Sequence, residues 1–163
     1  MHALVRHPLA LLLTGLACGP ALAADTGPPP APAPASRSVA ADPLAAARGQ
    51  IAAKNWPAAI DELKRVNASG SADWNNLMGY SQRKQATPDL DASQRYYDAA
   101  LRIDPKHMGT LEYSGELALM KGDLPTAEAR LATLSQLCKS PCETLDGLKK
   151  AIATFKSGGK STY

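Results

Sequence analysis

The chain predicts an all-α fold: an α-solenoid of three helix-turn-helix units closed by a C-terminal capping helix. Three observations predict it. Ala59, Ser93 and Ala127 are each 34 residues apart, and so are Leu63, Tyr97 and Leu131, and Val66, Ala100 and Leu134. The apolar residues around them recur at helical spacing. A single hairpin of this kind cannot bury its own apolar face, so a repeat implies a stack. The first helices repeat more loosely, with Ala47, Gly79 and Gly115 at a small site in steps of 32 and 36. Twelve residues separate Ala47 from Ala59 and Gly115 from Ala127, but fourteen separate Gly79 from Ser93. The second unit therefore carries a turn two residues longer, in Gln85-Ala86-Thr87-Pro88-Asp89.

The middle unit, Ala72 to Pro105, is the best defined. Trp74, Leu77 and Gly79 lie on its first helix, Tyr97, Ala100 and Leu101 on its second, and Asp104-Pro105 ends it. This stretch resembles the tetratricopeptide repeat (TPR), whose pattern of Trp, Leu-Gly, Tyr, Ala, Phe, Ala and Pro runs over 34 residues. It departs from that pattern in two places. Gly79 falls one residue late after Leu77, and Ser93 stands where the second helix usually opens with Ala.

At 163 residues the chain is one domain with appendages. Apolar content of 45% with 5% aromatics suits an Ala- and Leu-rich helical array. The formal charge of +3 is spread out, with no Lys/Arg run beyond two, and predicts neither nucleic-acid nor membrane binding. Residues 1–23 read as a cleavable signal peptide. Arg6 opens it, Leu9 to Ala17 is an apolar core too short to span a bilayer, and Ala21-Leu22-Ala23 is a cleavage site. The expected location is the periplasm or beyond. The alternative is a membrane-anchored lipoprotein acylated on Cys18, for which Gly15-Leu16-Ala17 is a poor lipobox because Leu is expected where Gly15 stands. Membrane association is expected only in that case. Residues 24–41 are Pro/Ala-rich and lack apolar periodicity, so a disordered, semi-rigid linker is expected.

The repeat domain covers 42–156, with units at about 43–71, 72–106 and 107–139 and a cap helix over 142–156. In the first unit Leu44, Ala47 and Ile51 mark one face. Asn55 caps the next helix with Pro57 in its first turn, and Ala59, Ile60, Leu63 and Val66 form the buried side. Trp56 staples that turn to the pair. In the third, Leu111, Gly115, Ala118 and Leu119 face inward, Gly122 ends the helix left-handed and Asp123 caps the next. The final helix turns Leu145, Leu148, Ile152 and Phe155 to one side, behind a Ser140-Pro141-Cys142-Glu143 capping box. Residues 157–163 are expected to be a flexible tail, with Gly158-Gly159 frayed.

Once the signal is removed, Cys138 and Cys142 remain. In an oxidising compartment, three intervening residues that reverse the chain bring them within disulfide range, pinning the cap to the last repeat. The sharper alternative is thiol-disulfide redox chemistry at Cys142, whose thiolate a helix start favours. Against it stand the C-x3-C spacing and the lack of a βαβ pattern. A metal site needs more ligands than this pair, and no His lies near in sequence, so no metal or cofactor is expected. Nor is an enzyme: phosphate-loop, H-E-x-x-H and G-x-S-x-G motifs are missing, and the mature chain keeps a single histidine, His107. At the start of a helix, His107 is expected to face solvent.

The resemblance to TPR domains implies that a peptide or helix of a partner protein docks in a concave groove lined by the first helices. No nucleic acid and no small-molecule substrate is expected. Helical i, i+4 spacing nominates Arg48 in unit one, Asn76, Tyr80, Arg83 and Lys84 in unit two, and Glu112 and Glu116 in unit three. Such a groove is expected to be basic at its middle and acidic toward the C-terminal end. The two glutamates depart from TPRs that clamp a C-terminal carboxylate with a Lys/Asn/Arg set. The layout is also similar to small exported proteobacterial TPR proteins. It shares their Gly79-Tyr80-Ser81-Gln82-Arg83-Lys84 stretch, the stretch from Asp104 to Leu117 and the C-terminal C-x3-C. That likeness implies a fold and an address but no defined activity. The expected function is a non-enzymatic interaction adaptor of the bacterial cell envelope.

Overall fold

The computed structural model describes residues 41–139 and 141–159; the signal peptide and nearly all of the linker lie outside them. Seven helices and no strand occur among the described residues: α1 (Ala45–Ala52), α2 (Trp56–Val66), α3 (Ala72–Lys84), α4 (Leu90–Ile103), α5 (Met108–Met120), α6 (Leu124–Leu137) and α7 (Glu143–Lys156). Each helix packs on the next in sequence, and α1, α3, α5 and α7 also touch in series.

The second helix of each pair is started by the same chemistry at the same interval. Asn55, Asp89 and Asp123 precede α2, α4 and α6 at steps of 34. The Asp89 and Asp123 carboxylates accept from the backbone N–H groups of Ala92 and Thr126, filling donors that the first turn leaves free. Asn55 occupies the position without a side-chain bond, and Pro57 and Pro125 take the first turn, where no N–H is needed. Turn lengths agree with the register shift. Residues 53–55 and 121–123 link the first and third pairs, three each, whereas residues 85–89 link the second, five in all.

The helix ends are equally specific. Gly122 adopts φ +79° after α5, with its N–H donating to the Leu119 carbonyl and the Asp123 N–H to Ala118. The same double bond closes α1 around Lys54, at φ +57°, a backbone state that costs a side chain-bearing residue. It also closes α7: Gly158 stands at φ +78° and the Gly159 N–H reaches the Thr154 carbonyl. These two glycines form an ordered cap, not a frayed end. The start of α7 also differs from expectation. Cys142 is its N-cap without a side-chain bond, so Pro141 precedes the helix; Ser140, on which the expected capping box rests, lies outside the described residues.

Two apolar clusters hold the stack. Leu44, Ala47, Ile60, Leu63, Trp74, Leu77 and Met78 join α1, α2 and α3, and the Trp74 indole N–H donates to the Leu63 carbonyl at 2.7 Å. Leu111, Ala118, Leu119, Ala127, Leu134, Leu148, Ala151 and Ile152 join α5, α6 and α7. Both small sites receive a side chain: a Cβ at Gly79 would lie 2.6 Å from the Tyr97 ring, and one at Gly115 2.8 Å from Leu148. The clusters do not merge. On α3, α4 and α5 the polar side chains of Asn76, Ser81, Arg83, Ser93, Thr110 and Ser114 are buried alongside Ala92, Tyr97, Ala100 and Leu117.

Candidate functional site

The nominated residues fall into two groups. Tyr80, Arg83, Lys84, Glu112 and Glu116 come together where α3 meets α5; Arg48 and Asn76 do not join them. Arg48 is engaged with Asp42 and Asp73, at 3.2 Å each. Asn76 is buried against Gly109 at the start of α5, and its Oδ1 has no partner.

Arg83 is the centre of the first group, and its side chain is wholly buried. Its Nη2 donates to Glu116 Oε2 at 2.6 Å. The guanidinium carbon lies 5.7 Å from the centroids of both the Tyr80 and Tyr113 rings, within cation–π range. Nε and Nη1 make no hydrogen bond of good geometry, nor does the buried Tyr97 hydroxyl, which still interacts with the guanidinium. Burial opposes the Arg83 charge, but Tyr97 and Glu116 outweigh it and raise its pKa above the ordinary value. Positive and negative charge therefore meet here. The expected segregation into a basic middle and an acidic end is not observed, because α3 and α5 lie close enough to pair the two.

Over this pair lies an aromatic strip. Trp56 of α2 meets Tyr80 edge-on at 5.7 Å, and Tyr80 meets Tyr113 of α5 at 4.6 Å with a tilt of 31°. All three rings are partly exposed. The Lys84 ammonium sits 6.0 Å from the Tyr80 centroid, and burial, with Arg83 nearby, lowers its pKa. Burial raises the Tyr80 hydroxyl and pushes Tyr113 up to about 12.

Glu112 is half-buried, and its carboxylate lies against Gly147 of α7, where any side chain would collide with it. Burial first, then the neighbouring Glu116 and Glu143 carboxylates, push its pKa up to about 7, against the pull of Arg83. This carboxyl sits between its neutral and charged states near neutral pH.

Trp56 and Tyr113 were not among the nominated groove residues. The small-site register, in steps of 36, sets Tyr80 level with Glu116, yet the rings that stack are Tyr80 and Tyr113, 33 apart. The signal that could have found them was composition: with aromatics at 5% of the chain, three rings at the edges of neighbouring helices are a concentration.

His107 corrects another expectation. Its Nδ1 accepts from the Thr110 backbone N–H at 3.1 Å, capping α5, and lies 2.8 Å from Thr110 Oγ1. Accepting at Nδ1 places the proton on Nε2, which faces Asp73 Oδ1 at 2.9 Å. This hydrogen bond, with Arg48 adding to it and burial opposing, holds the Asp73 carboxyl below the ordinary range. The Asp–His–Thr order resembles a nucleophilic relay, but Thr110 is fully buried and its hydroxyl meets no open space. The network ties α1, α3 and α5 together.

Cys138 and Cys142 are joined, Sγ to Sγ at 1.93 Å, with Cα atoms 5.9 Å apart. Cys138 is the C-cap of α6 and Cys142 the N-cap of α7, so the link fixes the last helix to the one before it. No helix among the described residues is long and apolar enough to cross a membrane. Compared with known proteins, the chain matches no family model, no curated protein and no solved structure.

Proposed function

We propose that this protein is a non-catalytic interaction adaptor of the cell envelope, a TPR-type solenoid that takes a partner protein's peptide or helix along α1, α3 and α5. The 34-residue spacing of the three N-caps and the serial contact of the odd-numbered helices support the solenoid reading. One observation carries the binding reading: the partly exposed Trp56–Tyr80–Tyr113 strip, edged by Lys84 and Glu112. Large, rigid rings of this kind supply most of the affinity at protein interfaces. Arg83 is not a contact residue in this reading. It sits under the strip and, paired with Glu116, holds Tyr80 and Tyr113 at their spacing.

The test is photocrosslinking in intact cells from positions 80 and 84, with position 149 on α7 as the outward control. A defined product from the first two alone is expected. Equal products from all three positions, or none from any, would remove the groove as the binding surface.

A further inference from the structure

The α6–α7 link lies in a cleft of about 480 Å³ walled by Met108, Leu137, Lys139, Pro141 and Thr144. Met108 opens α5 and is 43% exposed, one of two large apolar side chains so placed among the described residues. It belongs to neither apolar cluster. Its thioether instead points at the cysteines: Met108 Sδ lies 3.8 Å from Cys138 Sγ, across 30 residues of chain. Thr144 Oγ1 completes the surroundings, 3.4 Å from Cys142 Sγ and 3.7 Å from Cys138 Sγ.

We propose that Met108, Cys138 and Cys142 form a three-sulfur site for Cu(I) when the disulfide is reduced. Two thiolates and a thioether are soft donors, the set that selects Cu(I). Three sulfurs around one ion at bonds of about 2.3 Å stand about 4 Å from one another, the spacing Met108 and Cys138 already have. Released from its partner, Cys142 Sγ swings about its own χ1 to the third corner. The chain's nearby nitrogen donor is committed elsewhere, since both His107 ring nitrogens are engaged by Thr110 and Asp73. Among the described residues no three His, Cys, Asp or Glu side chains gather as a metal set. The methionine therefore makes this site, and it selects against Zn(II), which prefers four N or S ligands. The start of α7 and Lys139, which lines the cleft, favour thiolates there, whereas Glu143 on the same wall opposes them.

The steps balance. A dithiol reductant attacks the disulfide through a mixed disulfide, is itself oxidised to a disulfide, and leaves Cys138 and Cys142 as two thiols. Cu(I) then displaces both thiol protons to solvent on binding. The site is redox-gated, because the oxidised pair retains no thiolate.

The test takes the full chain carrying Cys18→Ser, so that Cys138 and Cys142 are its only cysteines, reduces it with dithiothreitol, removes the reductant without oxygen, and titrates Cu(I) against a chromogenic Cu(I) chelator. X-ray absorption counts the sulfur ligands. One Cu(I) per reduced chain with three sulfurs is expected, and none for the oxidised chain. Met108→Leu keeps the side-chain volume at an exposed position and is expected to fold normally by circular dichroism. It should bind at least tenfold more weakly, with two sulfurs. Equal uptake by oxidised and reduced chains would overturn the proposal, and so would no uptake by the reduced chain. Unchanged affinity and sulfur count in Met108→Leu would overturn it equally, leaving an ordinary dithiol.

Discussion

Glu116→Gln tests whether the charge pair under the aromatic strip holds α3 to α5. Arg83 has no exposed side-chain surface and Glu116 retains 14%, so the pair is close to fully desolvated. Removing one partner of a buried ion pair costs about 3–5 kcal/mol, because the survivor keeps its desolvation penalty without its counter-charge. Glutamine preserves an acceptor oxygen for Arg83 Nη2, which places the expected loss at the low end, about 3 kcal/mol. That is a large share of the roughly 5–15 kcal/mol that stabilises a domain. Urea denaturation followed by circular dichroism at pH 7.5 reads it directly. The companion is Arg83→Met. Since Nε and Nη1 make no hydrogen bond of good geometry, the guanidinium is incompletely compensated even in the native pair. Exchanging both members for neutral side chains should then cost less than Glu116→Gln alone, which a double-mutant cycle reports as coupling of at least about 1.5 kcal/mol. A loss below about 1 kcal/mol in Glu116→Gln, or additive single effects, would refute the argument.

Three further outcomes follow from other parts of the fold. Glu112 is pushed up to about 7 from an ordinary 4.5, so the native state binds the proton more tightly than the unfolded chain. Stability is therefore highest below the unfolded value and is lost as pH rises through the folded one, by about 1–2 kcal/mol after discounting for solvent screening. Denaturation at pH 5 and pH 8 should show this loss and Glu112→Gln should abolish it; a wild-type curve flat over that range contradicts the assignment. Lys54→Gly removes a side chain from a φ of +57°, at the position 68 residues before Gly122, and should stabilise by about 0.5–1 kcal/mol in thermal melts. Cys138→Ser opens a five-residue loop, for which chain entropy gives about 2 kcal/mol of lost stability. Amide exchange should then quicken in α7 before it does in α2 or α3.

The parts of this fold that were legible in the sequence are those governed by local chemistry. Asn55 and Asp123 announce α2 and α6, Gly122 announces the end of α5, and the interval of 34 locates both the pairs and the longer turn of the second one. Side-chain exposure across helices was less legible. Helical spacing places Arg83 on the wall of an open groove, yet α5 covers it, because Glu116 and two tyrosines reward its burial. The tail glycines carry no apolar pattern and read as frayed, although their positive φ and two backbone bonds make a cap. Met108 shows the same limit for chemistry. Its sulfur belongs with Cys138 only because α5 starts beside the end of α6, a juxtaposition that sequence spacing does not express.

Helix α5 links the two sites without merging them. Its middle carries Tyr113 and Glu116 toward α3, and its first residue meets the α6–α7 link. Helix α7 leans on the same element: Gly147 lies against the Glu112 carboxylate and Leu148 fills the gap at Gly115. Both contacts require the absence of a Cβ, so α7 has one close seat on α5. The Cys138–Cys142 link shortens the chain that delivers α7 to that seat. Part of what raises Glu112 depends on the same docking, since Gly147 covers its carboxylate and Glu143, one of the charges acting on it, is the first residue of α7. The carboxyl at the edge of the aromatic strip thus takes part of its proton affinity from a helix that contributes no ring to it.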